Sequence, residues 1–161
     1  MTKKIIYLTF LGLQFHPYIS AQEYSVKGRI SSEVYAHPAA GTWFYHIDGA
    51  YGLARQFDVG INLGTSFSPG IDNYLINLDA RYYFTPLLFK NANNVDLYLK
   101  GSIGYHRTRS ENLSSGGFTY AGYLGIRYFP FKRVGIMAEG GIDSFGFTLK
   151  TNFGLCFKLK L

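Results

Sequence analysis

The sequence has one cysteine, few charged residues and no long apolar run, and each shortage excludes a class of protein. Cys156 has no second cysteine to pair with, so a disulfide framework is excluded. Charged residues make up 16% of the 161 residues, and a net charge of +6 without a basic cluster indicates no nucleic-acid partner. The apolar run at residues 5–13 is far shorter than the roughly 20 residues of a membrane-spanning helix. Any membrane crossing must therefore use strands.

The first residues are typical of a cleavable secretory signal. Two lysines precede the apolar run 5–13, and small residues ending in Ala21 follow it. We expect cleavage after Ala21, which divides the chain into a signal peptide, residues 1–21, and one mature domain, residues 22–161. Removing the two lysines reduces the formal charge from +6 to +4.

Glycine, tyrosine and phenylalanine are abundant, at 19, 14 and 14 residues, and they occur in segments where apolar and polar residues alternate. Side chains alternate between the two faces of a strand, so this pattern predicts strands with one apolar face. About eleven residues at ~3.4 Å each, tilted near 45°, match the apolar band of a transmembrane barrel. We predict eight such strands, at residues 23–35, 42–54, 57–66, 74–84, 95–106, 118–129, 134–143 and 147–161.

Every charged residue in these segments lies on the face opposite the large apolar residues. An undirected pattern would place about half of them on each face, so the predicted sheet has two chemically distinct sides. Eight are acidic and eight are basic: Glu23, Glu33, Asp48, Asp58, Asp79, Asp96, Glu139 and Asp143, with Lys27, Arg29, Arg81, Lys100, Arg127, Lys150, Lys158 and Lys160.

Two closed barrels fit such a sheet, a transmembrane barrel and a water-soluble lipocalin-like barrel with its apolar face inward. The apolar face has too many large side chains to fit inside eight strands, and aromatic residues gather near segment ends as interfacial girdles do. We therefore predict an all-β fold, an eight-stranded antiparallel transmembrane β-barrel. The predicted lipid-facing residues are Leu97, Leu99, Leu124, Ile126, Phe153 and Leu155, and the interfacial aromatics are Trp43, Tyr45, Tyr82, Phe84, Tyr105 and Tyr128.

The connections between the predicted strands fall into two groups. We assign 54–58, 130–133 and the longer 85–94 to the periplasmic side, together with both ends of the mature chain. The external loops are then 36–41, 67–73, 107–117 and the tight 144–146.

The signal, the Tyr/Phe/Gly-rich alternation, the turn YFPFK at 128–132 and the stretch GIMAEG at 135–140 together resemble a known family. This is the outer-membrane-protein β-barrel family, small eight-stranded porin-family or opacity-type proteins, and the similarity is one of pattern over nearly all of 22–161. It implies an integral protein of the Gram-negative outer membrane that contacts outer-membrane lipid and the barrel-insertion machinery. Such proteins often end in Phe, where this sequence has Leu161.

Balanced inward charges predict a polar, charge-paired lumen, because an ion-selective pore has a surplus of one sign along its wall. Buried charges must be paired or hydrogen-bonded to be tolerated. The rival hypothesis is a narrow passive channel for small solutes. The residues predicted to form the paired lumen are Asp48, Asp79, Arg81, Lys100, Arg127, Glu139 and Lys150.

Candidate catalytic residues are few. His46 and Asp48 share the inward face two residues apart, a spacing that fits a base and its orienting carboxylate, and some outer-membrane barrels modify lipids. No nucleophile is fixed beside His46, and no His, Cys or Asp cluster has metal-ligand spacing. We expect no catalytic residue, cofactor or metal, but a structural or surface-interaction role with an external ligand at the loops. A lipid-modifying enzyme is the second alternative.

Two arginines near the predicted external loop 107–117 are candidates for anion binding. Arg107 and Arg109 could meet lipopolysaccharide phosphates, which guanidinium groups bind well. Solvated loop charges are the simpler interpretation of both residues.

Overall fold

Eight strands close into one antiparallel barrel in the computed structural model, which describes residues 25–39, 42–89, 94–110, 113–144 and 149–160. Each strand pairs with its neighbours in sequence, and the first pairs with the last. The prediction of an all-β, eight-stranded antiparallel barrel is confirmed. The predicted signal peptide and its cleavage site lie outside the described residues. The strands are β1 (Arg29–Ala39), β2 (Thr42–Ala54), β3 (Phe57–Ser68), β4 (Ile71–Tyr83), β5 (Val95–Ser110), β6 (Leu113–Tyr128), β7 (Val134–Asp143) and β8 (Leu149–Lys160).

Closure of the barrel comes from the pairing of β1 with β8, which runs from Arg29 opposite Lys160 to Ala36 opposite Phe153. A closed sheet pairs the backbone groups that an edge strand would leave free, as hydrocarbon surroundings require. The described residues include one helical turn, α1 (Thr85–Leu88), between β4 and β5. No described helix has both the length and the apolar character needed to cross a membrane.

Several strands reach further at the outer end than predicted. The predicted loop 107–117 is mostly paired, because β5 continues to Ser110 and β6 starts at Leu113. This stretch is polar on both faces, so it lacks the alternation from which strands were predicted, yet its backbone still pairs in water. The predicted loop 67–73 likewise contracts to a tight turn between β3 and β4, where Gly70 adopts a left-handed φ of 75°.

Two strand ends at the other side also differ from prediction. β1 begins at Arg29, because residues 27–28 form a turn in which Gly28 has a φ of 71°. β4 ends at Tyr83, and Phe84 instead caps α1, where it is half-buried. Both changes shorten the predicted strands at the end of the barrel predicted to face the periplasm.

The outer surface of the barrel is apolar, and its interior holds the charges. Leu99, Leu124 and Phe153 are exposed, whereas Arg81 and Arg127 are 0% and 1% exposed. A water-soluble protein has the opposite arrangement, so the orientation contradicts the lipocalin-like alternative. The remaining predicted lipid-facing and interfacial residues lie outside as well, with Leu97 half-buried and the others exposed: Ile126, Leu155, Trp43, Tyr45, Tyr82, Tyr105 and Tyr128.

Leu124→Arg tests the lipid contact of this surface. A charge near the bilayer midplane is expected to lower the free energy of unfolding by about 2–4 kcal/mol. Phe131→Arg, in the exposed turn between β6 and β7, is the control and should cost about 0–1 kcal/mol near the interface. Urea titration in lipid vesicles, followed through the single residue Trp43, measures both. Equal effects of the two substitutions would contradict the orientation.

Candidate functional site

The lower half of the lumen, nearest the turns predicted to be periplasmic, is organised around the Arg81 guanidinium. Its Nη2 lies 2.5 Å from Asp48 Oδ2, 3.3 Å from Glu33 Oε2 and 3.9 Å from Asp79 Oδ2, and its Nη1 lies 3.4 Å from Asp58 Oδ1. The four carboxylates come from β1, β2, β3 and β4. One side chain on β4 thus connects four neighbouring strands through charge-assisted contacts.

A second guanidinium extends this cluster to the other wall. Arg127 on β6 pairs with the Glu33 carboxylate, and its Nη1 donates to the Tyr83 hydroxyl at 2.6 Å. Nearby, Arg29 Nη1 lies 2.9 Å from Asp96 Oδ2. Glu33 therefore forms ion pairs with both Arg81 and Arg127, and these pairs join strands on both sides of the lumen.

Above these arginines, the Glu139 carboxylate on β7 collects three donors. Lys100 Nζ lies 2.6 Å from its Oε2, Asn152 Nδ2 donates to the same oxygen at 2.9 Å, and the Tyr98 hydroxyl donates to Oε1 at 2.8 Å. The Tyr98 ring needs the space beside Gly125, where a Cβ atom would lie 2.3 Å from its Cζ. A glycine on the inner face thus makes room for an aromatic side chain that fixes a buried carboxylate.

The predicted balance of eight acidic and eight basic residues concerns the whole inner face, and the deepest part of the lumen holds more acids than bases. The buried charged side chains among the described residues are six acidic and four basic. Each of the six carboxylates nevertheless lies within 4 Å of an arginine or lysine nitrogen. We call these ten residues the lumen network: Glu33, Asp48, Asp58, Asp79, Asp96, Glu139, Arg29, Arg81, Lys100 and Arg127.

Six of the seven residues predicted for the paired lumen lie in the lumen network, and Lys150 does not. Lys150 instead pairs with Asp143 near the outer end of the barrel. The sequence pattern places four further network residues on the inner face, but the predicted cluster omitted them: Arg29, Glu33, Asp58 and Asp96. Alternation gives the face of a residue, whereas its height in the barrel depends on strand stagger, which the sequence pattern does not fix.

A cavity of about 620 Å³ occupies the upper half of the lumen, between the lumen network and the outer end. We call it the upper cavity. A stack of rings from β1 and β2 lines one wall: the centroid of His46 lies 4.7 Å from Tyr35 and 5.1 Å from His37, which lies 5.4 Å from Phe44. Asn62 fixes this stack, since its Oδ1 lies 3.0 Å from His46 Nδ1 and its Nδ2 donates to the Tyr35 hydroxyl at 2.8 Å. Ring stacking and hydrogen bonds therefore hold this wall in place without a ligand.

The predicted base and carboxylate do not form a pair. His46 bonds to Asn62 in the ring stack, and Asp48 binds Arg81 in the lumen network. His46 and Asp48 lie two residues apart on the same face of β2, but their side chains point to different layers of the lumen. Cys156 is buried beside Tyr35 and other apolar residues. The described ranges contain no group of three or more His, Cys, Asp or Glu able to hold a metal ion.

Two further histidines, and the two arginines expected in the external loop 107–117, lie on strands. His37 is buried on β1, and His106 is half-buried on β5, where both line the upper cavity. Arg107 and Arg109 lie on the outer extension of β5, exposed, and Arg107 Nε donates to Ser114 Oγ at 3.2 Å.

Glu139→Gln tests whether buried pairing stabilises the barrel. Glutamine still accepts from Tyr98 but removes the carboxylate that lies 2.6 Å from the Lys100 ammonium, so we expect a loss of about 3–5 kcal/mol in unfolding free energy. Lys100→Met/Glu139→Gln removes both charges and should lose less than Glu139→Gln alone. Urea unfolding in vesicles measures each variant.

Lys132→Gln, at an exposed position in the turn after β6, is the control and should change stability by less than about 0.5 kcal/mol. A Glu139→Gln effect as small as this control would show that the buried pair does not stabilise the fold.

Comparisons with known proteins identify the fold through structure alone. No protein-family model matches the chain, and no curated protein sequence matches it. The N-terminal β-barrel domain of Pseudomonas aeruginosa OprF is similar over 83% of this chain and 98% of its own, with a TM-score of 0.64 and 13% identity. A structure from de novo design of transmembrane β-barrels covers 86% and 100%, with a TM-score of 0.60 and 13% identity.

The outer membrane protein OprG from Pseudomonas aeruginosa is also similar, over 86% of this chain and 99% of its own, with a TM-score of 0.56 and 10% identity. The shared architecture and the apolar outer surface together support the predicted localisation in the outer membrane of a Gram-negative bacterium. The chain has the fold of the small eight-stranded outer-membrane β-barrel proteins that its sequence resembles.

Proposed function

We propose that this outer-membrane barrel has a structural or surface-interaction role, without catalysis, and that the lumen network seals its lumen against ions. The barrel-insertion machinery assembles it, and its outer end meets an external ligand. The observation that carries the proposal is the filling of the lower lumen by paired side chains, with Glu33 bound by Arg81 and Arg127 together.

The contacts of the lumen network favour a plug over a conducting path. Side chains just fill the interior of an eight-stranded barrel. Arg81 and Arg127 are fully enclosed by carboxylates and tyrosine rings, and the Arg127 guanidinium carbon lies 4.6 Å from the Tyr98 ring centroid. Ions would have to break several charge-assisted contacts to pass, since each buried carboxylate lies within 4 Å of an arginine or lysine nitrogen.

The outer extension of the hairpin β5–β6 supports a role at the cell surface. β5 and β6 have 16 residues each, more than the about eleven that cross the apolar band. Their outer ends present exposed Arg107 and Arg109, and Phe118 is also exposed. A cationic projection of this kind fits an anionic external ligand, including the phosphates of lipopolysaccharide.

A conductance measurement separates the sealed barrel from the narrow-channel alternative. In planar bilayers we expect the wild-type protein to give no steady current. Glu33→Ser/Arg127→Ser removes a neutral pair from the centre of the lumen network, so water fills the space and a steady current should appear.

The matched control is Asp143→Ser/Lys150→Ser, which removes a neutral pair near the outer end and should stay closed. A steady wild-type current, or a current in the control equal to that of the central variant, would contradict a seal formed by the lumen network.

A lipid-labelling experiment tests the absence of catalysis. Incubation of the folded protein with labelled phospholipid and lipopolysaccharide should yield no acyl transfer, because His46 bonds to Asn62 and has no carboxylate partner in the described structure. Transfer that is lost in His46→Ala would overturn the proposal and favour the lipid-modifying alternative.

A further inference from the structure

We propose that the upper cavity is a binding site for a neutral sugar residue that enters from the cell surface. The inference rests on the proposed sealed base of the lumen and names a second external ligand, distinct from the anionic ligand that fits the outer extension of β5–β6. Two observations support it. The cavity of about 620 Å³ is lined by aromatic rings, amides and hydroxyls. Several of its lining residues also have buried polar atoms without a hydrogen-bond partner among the described residues.

The cavity has the size of a small-molecule site and opens at the outer end. Binding pockets typically measure about 300–1,000 Å³. Its lining includes Thr42, Ser68, Ile71 and Asp143, which lie where β2, β3, β4 and β7 begin or end on the side away from the termini. Molecules outside the cell can therefore reach the cavity, whereas the lumen network closes it below.

Three buried side chains of the lining carry polar atoms without a hydrogen-bond partner among the described residues. They are both ring nitrogens of His37, Nε2 of His46 and Oδ1 of Asn152. His37 and His46 are each 5% exposed and Asn152 is 2% exposed. An unpartnered buried polar atom costs about 1–3 kcal/mol. These atoms expose almost no surface, so the proposed binding includes a turn of the imidazole ring or amide that brings them to the cavity.

The three residues lie on neighbouring strands and line the same cavity. His37 is on β1 and His46 is on β2, and their rings stack. Asn152 is on β8, which pairs with β1 as far as Ala36 opposite Phe153. His37 and Asn152 are the next residues along these two antiparallel strands. A single ligand can therefore reach all three residues.

The chemistry of the wall selects a neutral ligand with several hydroxyl groups. A neutral imidazole needs one donor and one acceptor, and the free Asn152 oxygen needs a donor, so hydroxyls, which both donate and accept, suit all of them. The charged lining residues are Asp143 and Lys150, which neutralise each other. Rings such as Phe44 and Tyr123 provide apolar surface for the C–H groups of a sugar.

The other wall is already ordered without a ligand. Thr119 Oγ1 donates to Asn77 Oδ1 at 3.0 Å, and Thr108 Oγ1 donates to Asn73 Oδ1 at 2.6 Å. A preorganised wall loses little conformational entropy when a ligand binds, which favours useful affinity from few contacts.

His37→Phe is the sharpest variant, because it keeps the ring of the stack and removes only the unpartnered nitrogens. A purely structural histidine would leave binding unchanged in this variant, and stability should stay equal or rise. If the nitrogens bind sugar, affinity should fall about tenfold, as expected for the loss of one to two hydrogen bonds. Tyr45→Phe is the control: it removes a hydroxyl from the exposed outer face of β2 and should not change affinity.

The measurement is saturation-transfer NMR on the full protein in lipid nanodiscs, which avoids detergents with sugar headgroups. The probes are glucose, galactose, mannose, N-acetylglucosamine, maltose and lactose at millimolar concentration. We expect saturation transfer to at least one probe, reduced in His37→Phe and also in Ser68→Trp, which blocks the outer opening without touching His37.

Four outcomes would overturn the site: no probe binds; binding is equal in His37→Phe and wild type; glucuronic acid binds more tightly than the neutral sugars; or a fatty acid alone occupies the cavity. Conductance separates this inference from the proposed function. A closed barrel that binds no sugar would support the seal and contradict the sugar site. A conducting barrel that binds sugar would contradict the seal and support the sugar site.

Discussion

The carboxylate of Glu33, bound by Arg81 and Arg127, is the contact on which the interior of the barrel depends. Charges removed from water are tolerated only where they find partners, because the lost hydration costs several kcal/mol per ion. The outer surface is apolar and faces lipid, where charges are unfavourable, so the charged side chains lie in the lumen. The apolar exterior and the paired interior are thus two consequences of a single constraint.

Much of this arrangement follows from the alternation in the sequence, which gives strand number, pairing order and the face of each charge. The contacts between side chains inside the barrel do not follow from this alternation. Arg81 on β4 reaches Glu33 on β1, and Lys150 lies apart from Lys100 although both face inward. Such contacts depend on the stagger between strands, which alternation leaves undetermined. The polar outer ends of β5 and β6 were not predicted as strands, because water surrounds them. They need no apolar face there and so lack the alternation.

The lumen is divided into two layers with different chemistry. Below, ion pairs and tyrosines fill the space and join neighbouring strands around the wall. Above, a stack of Tyr35, His46, His37 and Phe44 lines a cavity that opens outward. Glu139 connects the layers, because Asn152 lines the cavity and donates to this carboxylate of the network. A rigid lower layer thus supports a preformed outer cavity, which suits recognition at the cell surface better than transport.

Lipid quenching of tryptophan fluorescence tests the orientation of the barrel most directly. In a Trp43→Phe background, a tryptophan is introduced either by Leu124→Trp or by Tyr123→Trp, two adjacent positions on opposite faces of β6. Vesicles with brominated acyl chains should quench the fluorescence of Leu124→Trp strongly and that of Tyr123→Trp little. Equal quenching, or stronger quenching of Tyr123→Trp, would contradict an apolar face toward lipid and a charge-paired lumen.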